Sequence, residues 1–125
     1  MILHESGEMY LETILTLSRE RGTVRSIDIS EYMNYSKPSV SRAVRLLRSG
    51  GYIDVDDAGY ITLTDCGLEI AEKISERHRL LTDLLVSLGV DEEIAVDDAC
   101  RIEHVISDAS FRAIKEHVSR QSKAR

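Results

Sequence analysis

The chain has 125 residues, 42% of them hydrophobic, which is enough for one domain with a core, or for one domain with a small appendage. Two cysteines, Cys66 and Cys100, are too few for a disulfide framework, the N-terminus lacks the basic and apolar regions of a signal peptide, and no apolar run approaches the roughly 18 residues of a membrane span. We therefore expect a protein of the reducing cytoplasm without membrane association.

The formal net charge of −6 argues against a generic nucleic-acid binder, but the charge is unevenly distributed along the chain. Residues 1–48 hold seven Lys/Arg and six Asp/Glu, a charge of +1, whereas residues 49–125 hold nine and sixteen, a charge of −7. Phosphates are attracted by a local basic face rather than by the total charge. The basic residues of the first part are Arg19, Arg21, Arg25, Lys37, Arg42, Arg45 and Arg48.

Two helices are predicted before residue 35. The segment GEMYLETILTLSRERG ends at Gly22 and carries apolar residues at helical spacing, namely Leu11, Ile14, Leu15 and Leu17. The segment SIDISEYMN follows as a short second helix with Ser26 as its N-cap. Its apolar positions are Ile27, Ile29 and Met33.

A third helix and a β-hairpin follow. The segment YSKPSVSRAVRLLRSGG has Ser36 as N-cap and Pro38 in the first turn, where the missing N–H costs little. The residues of this helix expected to face inward are Val40, Val44 and Leu47. The segment YIDVDDAGYITLT alternates apolar and polar residues on both sides of DDAG, which predicts a hairpin.

Three short helices followed by a hairpin is the order of a winged helix-turn-helix, in which the third helix enters the DNA major groove and the hairpin forms the wing. Arg42, near the start of the third helix, is suited to a bidentate contact with guanine. The ordinary alternative for any single arginine is a solvated surface charge. The candidate DNA-contacting residues are Arg25, Ser36, Lys37, Pro38, Ser39, Arg42 and Arg45.

The chain is predicted to be helical again from Thr64 onward. A long helix capped by Thr64 runs to Gly89 with the stripe Ile74, His78, Leu81, Leu85 and Leu88. A helix capped by Asp91 carries Ala95, Ala99, Ile102 and Ile106, and a last helix near residues 108–119 carries Phe111, Ile114 and Val118. We predict a winged-helix domain at residues 1–63 and a helical dimerisation domain at residues 64–125. Two-fold dimers of this kind bind palindromic DNA operators.

The stretch DDACRIEHVIS places Cys100, Glu103 and His104 within one turn of the predicted fifth helix. A thioether, a carboxylate and a second imidazole on two other helices could complete a divalent transition-metal site: Met9, Glu12 and His78. Each also has an ordinary interpretation, since a lone cysteine or methionine is commonly a core residue, a lone histidine a packed one and a lone glutamate a solvated one. Spacing alone leaves the choice open.

These segments together resemble the diphtheria-toxin-repressor family of metal-dependent transcriptional repressors, in its short form without an SH3-like domain. The matching pieces occur in family order and cover most of residues 6–107: GEMYLETI, DISEYMNYSKPSVSRAVRLLRSGGYI, ITLTDCGLEIAEKISERHRLL and DDACRIEHVIS. The resemblance implies a winged-helix DNA reader, a helical metal-binding and dimerisation domain, and a divalent cation as corepressor.

The resemblance also implies a set of metal ligands. Residues matching ligands of the family are Met9, Glu12, His78, Cys100, Glu103 and His104. Met9 and Cys100 resemble the iron-sensing branch, whereas the manganese-sensing branch has Asp and Glu at these places. Because sulfur donors are softer than carboxylates, we expect Fe(II) to be favoured, with Mn(II) possible.

The predicted function is therefore a Fe(II)- or Mn(II)-dependent repressor of metal-homeostasis genes that binds double-stranded DNA as a homodimer. One alternative is a winged-helix regulator that senses a small molecule or thiol oxidation through Cys66 and Cys100, and such a repressor would not respond to chelators. A hydrolytic metalloenzyme is not expected, because no nucleophile or general base accompanies the ligands and no HExxH motif is present.

Overall fold

The structure, a computed structural model, describes residues 5–123, with side chains described through Arg120. Within that range it contains six helices and one two-stranded sheet, so the predicted class, mostly helical with a small hairpin, is confirmed. The strands pair antiparallel with Asp54 opposite Thr62. The elements are α1 (Glu5–Arg21), α2 (Ser26–Met33), α3 (Lys37–Ser49), β1 (Ile53–Val55), β2 (Ile61–Leu63), α4 (Asp65–Ser87), α5 (Glu92–Val105) and α6 (Asp108–Lys123).

The chain forms two compact units, the first ending at Lys73 and the second beginning at Ile74. The core of the first unit is built from α1, α2, α3, the hairpin and the first turns of α4. Its fully buried side chains include Leu11, Ile14 and Leu17 of α1. Burial of one such side chain stabilises the fold by about 1.5–3 kcal/mol. The inward faces predicted for α1 and α3 are confirmed by this burial.

The start of α2 differs from the prediction. The N-cap is Arg25, not Ser26, and the backbone N–H of Arg25 donates to the Asp28 carboxylate at 2.9 Å. The Asp28 side chain thus reaches back from the third helical position and satisfies a donor at the helix start without a hydroxyl. Of the three apolar residues of α2, Ile29 is buried in the core, Met33 packs against the core and Ile27 is 41% exposed.

The hairpin turn is closed by side chains. The Asp56 carboxylate accepts the N–H groups of Ala58 at 3.0 Å and of Tyr60 at 2.8 Å. The Arg25 guanidinium donates to the Ala58 carbonyl at 2.7 Å and lies 5.2 Å from the centre of the Tyr60 ring. The tip of the hairpin is therefore tied to the N-terminus of α2.

Helix α4 begins in the first unit. Thr64 caps it as predicted, since its hydroxyl accepts the Gly67 N–H at 3.2 Å and donates to the Gly51 carbonyl at 2.7 Å. Ala71 is fully buried in the core of the first unit, which explains why the division between the units falls inside α4. The functional boundary between residues 63 and 64 stays a prediction.

The second unit contains the rest of α4 together with α5 and α6. Its buried apolar side chains come from all three helices: Ile74, Leu81, Ala95, Ala99 and Phe111. Leu88, predicted in the stripe of α4, is 71% exposed because the helix ends at Ser87. No helix among residues 5–123 is long and apolar enough to cross a membrane.

Gly67 packs so closely that a Cβ at this position would lie 2.0 Å from the carbonyl oxygen of Tyr52. We expect Gly67→Ala to lower the free energy of unfolding by about 1–3 kcal/mol, because the backbone must shift. The exposed neighbour Cys66 supplies the control, and Cys66→Ala should change that free energy by less than about 0.5 kcal/mol. Urea denaturation followed by circular dichroism measures both, and equal stability of the two variants would contradict the close packing.

Candidate metal centre and DNA-reading helix

Three potential metal ligands lie together near the C-terminal end of α5. The ligand atoms of Cys100, Glu103 and His104 all lie within 4.8 Å of one another. Their i, i+3, i+4 spacing puts them on one side of the helix. The side chains of Glu103 and His104 are fully buried, and Cys100 is partly buried. A thiol, a carboxylate and an imidazole in this small volume form a donor set suited to a divalent transition metal.

The Glu103 carboxylate joins this cluster to α4. Its Oε2 atom lies 2.8 Å from Nδ1 of His78, and its Oε1 atom lies 3.3 Å from Nε2 of His104. These two imidazoles are its ion-pair partners within residues 5–120. The Oε1 atom is buried and accepts no hydrogen bond from residues 5–120, and a buried acceptor without a donor is costly in a protein interior. A dication would satisfy this oxygen, so the residues present fit a metal.

The two remaining predicted ligands lie on α1, in the first unit. Met9 and Glu12 are three residues apart, which places them on one face of the helix, and both are half-buried. The backbone carbonyl of Glu12 accepts a hydrogen bond from the hydroxyl of Thr16 at 3.0 Å. Within the second unit the structure therefore assembles His78, Cys100, Glu103 and His104.

Arg77, which is only 6% exposed, was not among the residues predicted from the sequence to form the site. Arg77 stands three residues after the buried Ile74 and four before the buried Leu81 on the same helix. This core spacing was the available signal, because an arginine at a buried position must find several acceptors for its donors.

Six of the seven predicted DNA-contacting residues lie on α3 or at its N-cap, whereas Arg25 is the N-cap of α2 and contacts the tip of the hairpin. Ser36 is the N-cap, as predicted, and its hydroxyl accepts the Ser39 N–H at 3.3 Å. Pro38 lies in the first turn, also as predicted. Arg42 and Arg45 form no salt bridge with an acidic side chain of residues 5–120. All seven candidates are exposed: Arg25, Ser36, Lys37, Pro38, Ser39, Arg42 and Arg45.

An open groove of about 490 Å³ lies beside α3. On its wall the rings of Tyr10 from α1 and Tyr35, just before α3, meet edge to face with their centres 6.0 Å apart. Burial, and then the neighbouring Tyr35, raises the pKa of Tyr10, so the phenol stays neutral at physiological pH. This contact ties the segment before α3 to α1.

The chain matches two adjoining domains of one protein family. Residues 2–60 match the iron dependent repressor, N-terminal DNA binding domain. Residues 64–123 match the iron dependent repressor, metal binding and dimerisation domain. The transcriptional regulator MntR of Escherichia coli O6:H1 is 33% identical over 106 residues, which cover 85% of this chain and 68% of MntR.

Two longer proteins are similar over almost the whole chain. The diphtheria toxin repressor of Corynebacterium diphtheriae is 36% identical over 113 residues, which cover 90% of this chain and 50% of that repressor. A manganese-dependent transcriptional repressor in complex with manganese is 31% identical with a TM-score of 0.81, covering 90% of this chain and 52% of the solved one. The chain thus spans about half the length of these two proteins. The relatives in this family are transcriptional regulators rather than enzymes. The matches to both domains show that the chain belongs to the iron-dependent repressor family.

Proposed function

We propose that this chain is a divalent-metal-dependent transcriptional repressor of metal-homeostasis genes, acting in the cytoplasm as a homodimer on a palindromic DNA operator. The observation that carries the proposal is the fully buried Glu103 carboxylate, which lies between His78 and His104 and beside the Cys100 thiol. The match to a metal binding and dimerisation domain supports the same function. A two-fold dimer presents two reading helices, so its operator is expected to contain two related half-sites.

Four residues of the second unit would hold the metal: His78, Cys100, Glu103 and His104. His78 Nδ1 lies 2.8 Å from Glu103 Oε2, so these two atoms are close enough together to bind the same metal ion. When bound, a dication supplies the positive charge that a buried carboxylate and a thiolate require. The family resemblance adds Met9 and Glu12 of α1 to the proposed ligands.

Fe(II) is the proposed physiological metal. Cys100 provides a thiolate, which is a softer donor than the carboxylates that suit Mn(II). The Irving–Williams order also gives Fe(II) higher affinity than Mn(II) for the same site. Mn(II) remains a weaker activator in this proposal, because Glu103 is a hard oxygen donor and the solved relative is a manganese-dependent repressor bound to manganese.

Metal and DNA are coupled through a shared conformation of the protein in this proposal. If the metal-bound form is also the form that binds the operator, each ligand tightens the binding of the other by the same factor. Arg42 and Arg45 are exposed on α3 and free of salt bridges to residues 5–120, so they are available to DNA without breaking an internal ion pair. If the protein instead sensed thiol oxidation, metal and DNA would not tighten each other's binding in this way.

The metal preference can be tested by titrating each metal anaerobically into protein and a fluorescent operator selected in the presence of metal. Fe(II), or Co(II) as its air-stable substitute, should produce DNA binding at a lower concentration than Mn(II). Cys100→Glu should narrow or reverse this order because it replaces the soft donor. Cys100→Ala should weaken the Fe(II) response by at least about 10–100-fold, the loss typical of removing even an indirect partner of a metal ligand.

Cys66→Ala is the matched control for that titration, because Cys66 is an exposed thiol in the first unit. It should leave the response to every metal unchanged. A wild type that binds the operator equally well with excess chelator would refute metal dependence and support the thiol or small-molecule alternative. Equal activation by Mn(II) and Fe(II), or an unaltered response of Cys100→Ala, would refute the role of the thiolate.

Arg42→Ala should weaken binding to the selected operator by about 1–3 kcal/mol if its guanidinium contacts guanine in two places. The loss should disappear when the contacted base pair of each half-site is itself replaced. Arg112→Ala, an exposed arginine of α6, is the control and should have little effect. Anisotropy titrations against a set of single-base operator variants distinguish the models, since an equal loss on every sequence would mean a phosphate contact instead.

A further inference from the structure

We propose that Arg77 is a positioning residue for the metal centre. Its guanidinium fixes the last turn of α5 and thereby holds Glu103 and His104 where they can bind a metal. The inference rests on the proposed function, because it assigns Arg77 a role in assembling that same site.

The first support is the bonding of Arg77 to the end of α5. Its Nη1 atom donates to the backbone carbonyl of Glu103 at 3.0 Å and to that of Ile106 at 3.0 Å. The last four carbonyls of a helix have no donor within the helix itself, and a cation near them is favoured by the helix dipole. Arg77 is therefore a cap for the C-terminus of α5, supplied by a different helix.

The second support is that Arg77 is itself immobilised. Its Nη2 atom forms an ion pair with the Asp108 carboxylate at the start of α6. Its guanidinium carbon lies 5.4 Å from the centre of the Phe111 ring, and its side chain is 7% exposed. A planar guanidinium with donors in a fixed fork can bind all of these partners at once, whereas a lysine ammonium cannot match that geometry.

The third support is that consecutive residues of α4 hold the same residue of α5. Arg77 binds the main chain of Glu103, and His78 lies 2.8 Å from its carboxylate. The distance between the His78 and Glu103 side chains therefore depends on a main-chain contact made one residue away. Loss of Arg77 frees the α5 terminus that carries Glu103 and His104, so the ligand atoms lose their fixed separation.

The experiment is a Co(II) titration of the full chain against a competing chelator, followed by the visible absorption bands of bound Co(II). Arg77→Met should bind Co(II) about 10–100-fold more weakly than wild type, the range found for partners that orient metal ligands. The Co(II) bands should also shift, because the ligands are no longer held in place. The Co(II) affinity of Arg77→Lys should lie between those of wild type and Arg77→Met, because lysine keeps the charge but lacks the forked donors of the guanidinium. Far-UV circular dichroism establishes that each variant is folded.

Two controls separate positioning from general packing. Lys115→Met removes the ion pair of 2.7 Å between Lys115 of α6 and Glu76, the neighbour of Arg77 on α4, without touching α5. Asp108→Asn removes the charge that holds the Arg77 guanidinium but leaves the Arg77 bonds to the α5 carbonyls, so its loss of Co(II) affinity should be smaller than that of Arg77→Met. Lys115→Met should keep wild-type Co(II) affinity and bands. A loss in either variant as large as that in Arg77→Met would overturn the proposal.

A folded Arg77→Met with wild-type affinity and unshifted bands would overturn this inference while leaving the proposed function standing. Should Arg77→Met lose its helical circular dichroism, Arg77→Lys decides: weakened binding by the folded variant supports the proposal, and wild-type binding overturns it. A wild type that binds no Co(II) would refute the metal site itself, and the role of Arg77 with it.

Discussion

The arrangement of α4 and α5 in the second unit depends on one interaction, that of the buried Glu103 carboxylate with the imidazoles of His78 and His104. Glu103 is fully buried, yet its ion-pair partners within residues 5–120 are His78 and His104, which carry a fixed charge only when protonated. Burial of such a group is costly unless a cation compensates it. The main chain around it is held by Arg77, so α4 supplies both the fixed cation that caps α5 and the imidazole that reaches the carboxylate. The arrangement is one that a divalent metal would complete.

The first unit meets a different requirement, the presentation of a helix to DNA. Ser36 and Pro38 start α3, its inward face is buried, and Arg42 and Arg45 are left exposed and free of salt bridges within residues 5–120. The acidic excess lies after residue 48, so the charge asymmetry of the chain keeps this helix in its most basic region. Tyr10 packs against Tyr35 beside the candidate ligand Met9. Helix α1 therefore touches the segment that starts α3, so a metal ligand on α1, as proposed, would be linked to the proposed DNA-reading helix.

The apolar faces of α1 and α3 and the caps Ser36 and Thr64 were predictable, because helical spacing and capping residues act over one or two turns. Leu88 was assigned to the stripe of α4 wrongly, because it lies just beyond the end of the helix, where spacing does not tell a helical residue from a flanking one. The prediction of Ser26 as the N-cap of α2 was also wrong. The N-cap is Arg25, and the Asp28 carboxylate rather than a serine hydroxyl accepts a backbone N–H at the helix start.

In the candidate site, too, only the contacts between residues close together in the sequence could be predicted. Cys100, Glu103 and His104 were recognisable because they occupy one turn of one helix. The contact of His78 with Glu103 joins residues 25 apart, and Arg77 binds a backbone carbonyl 26 residues away. No residue-type pattern identifies a backbone acceptor at that distance, so only the fold shows that α4 holds Glu103 by its main chain and its side chain together.

The most direct test of the metal site is the Co(II) affinity of Glu103→Gln compared with that of wild type, measured in competition with a chelator. Glutamine keeps the size of the side chain and removes its charge. The folded variant should bind Co(II) at least about 100-fold more weakly, because a metal ligand and its negative charge are both lost. Unchanged Co(II) affinity in the folded variant would contradict a metal site at Glu103.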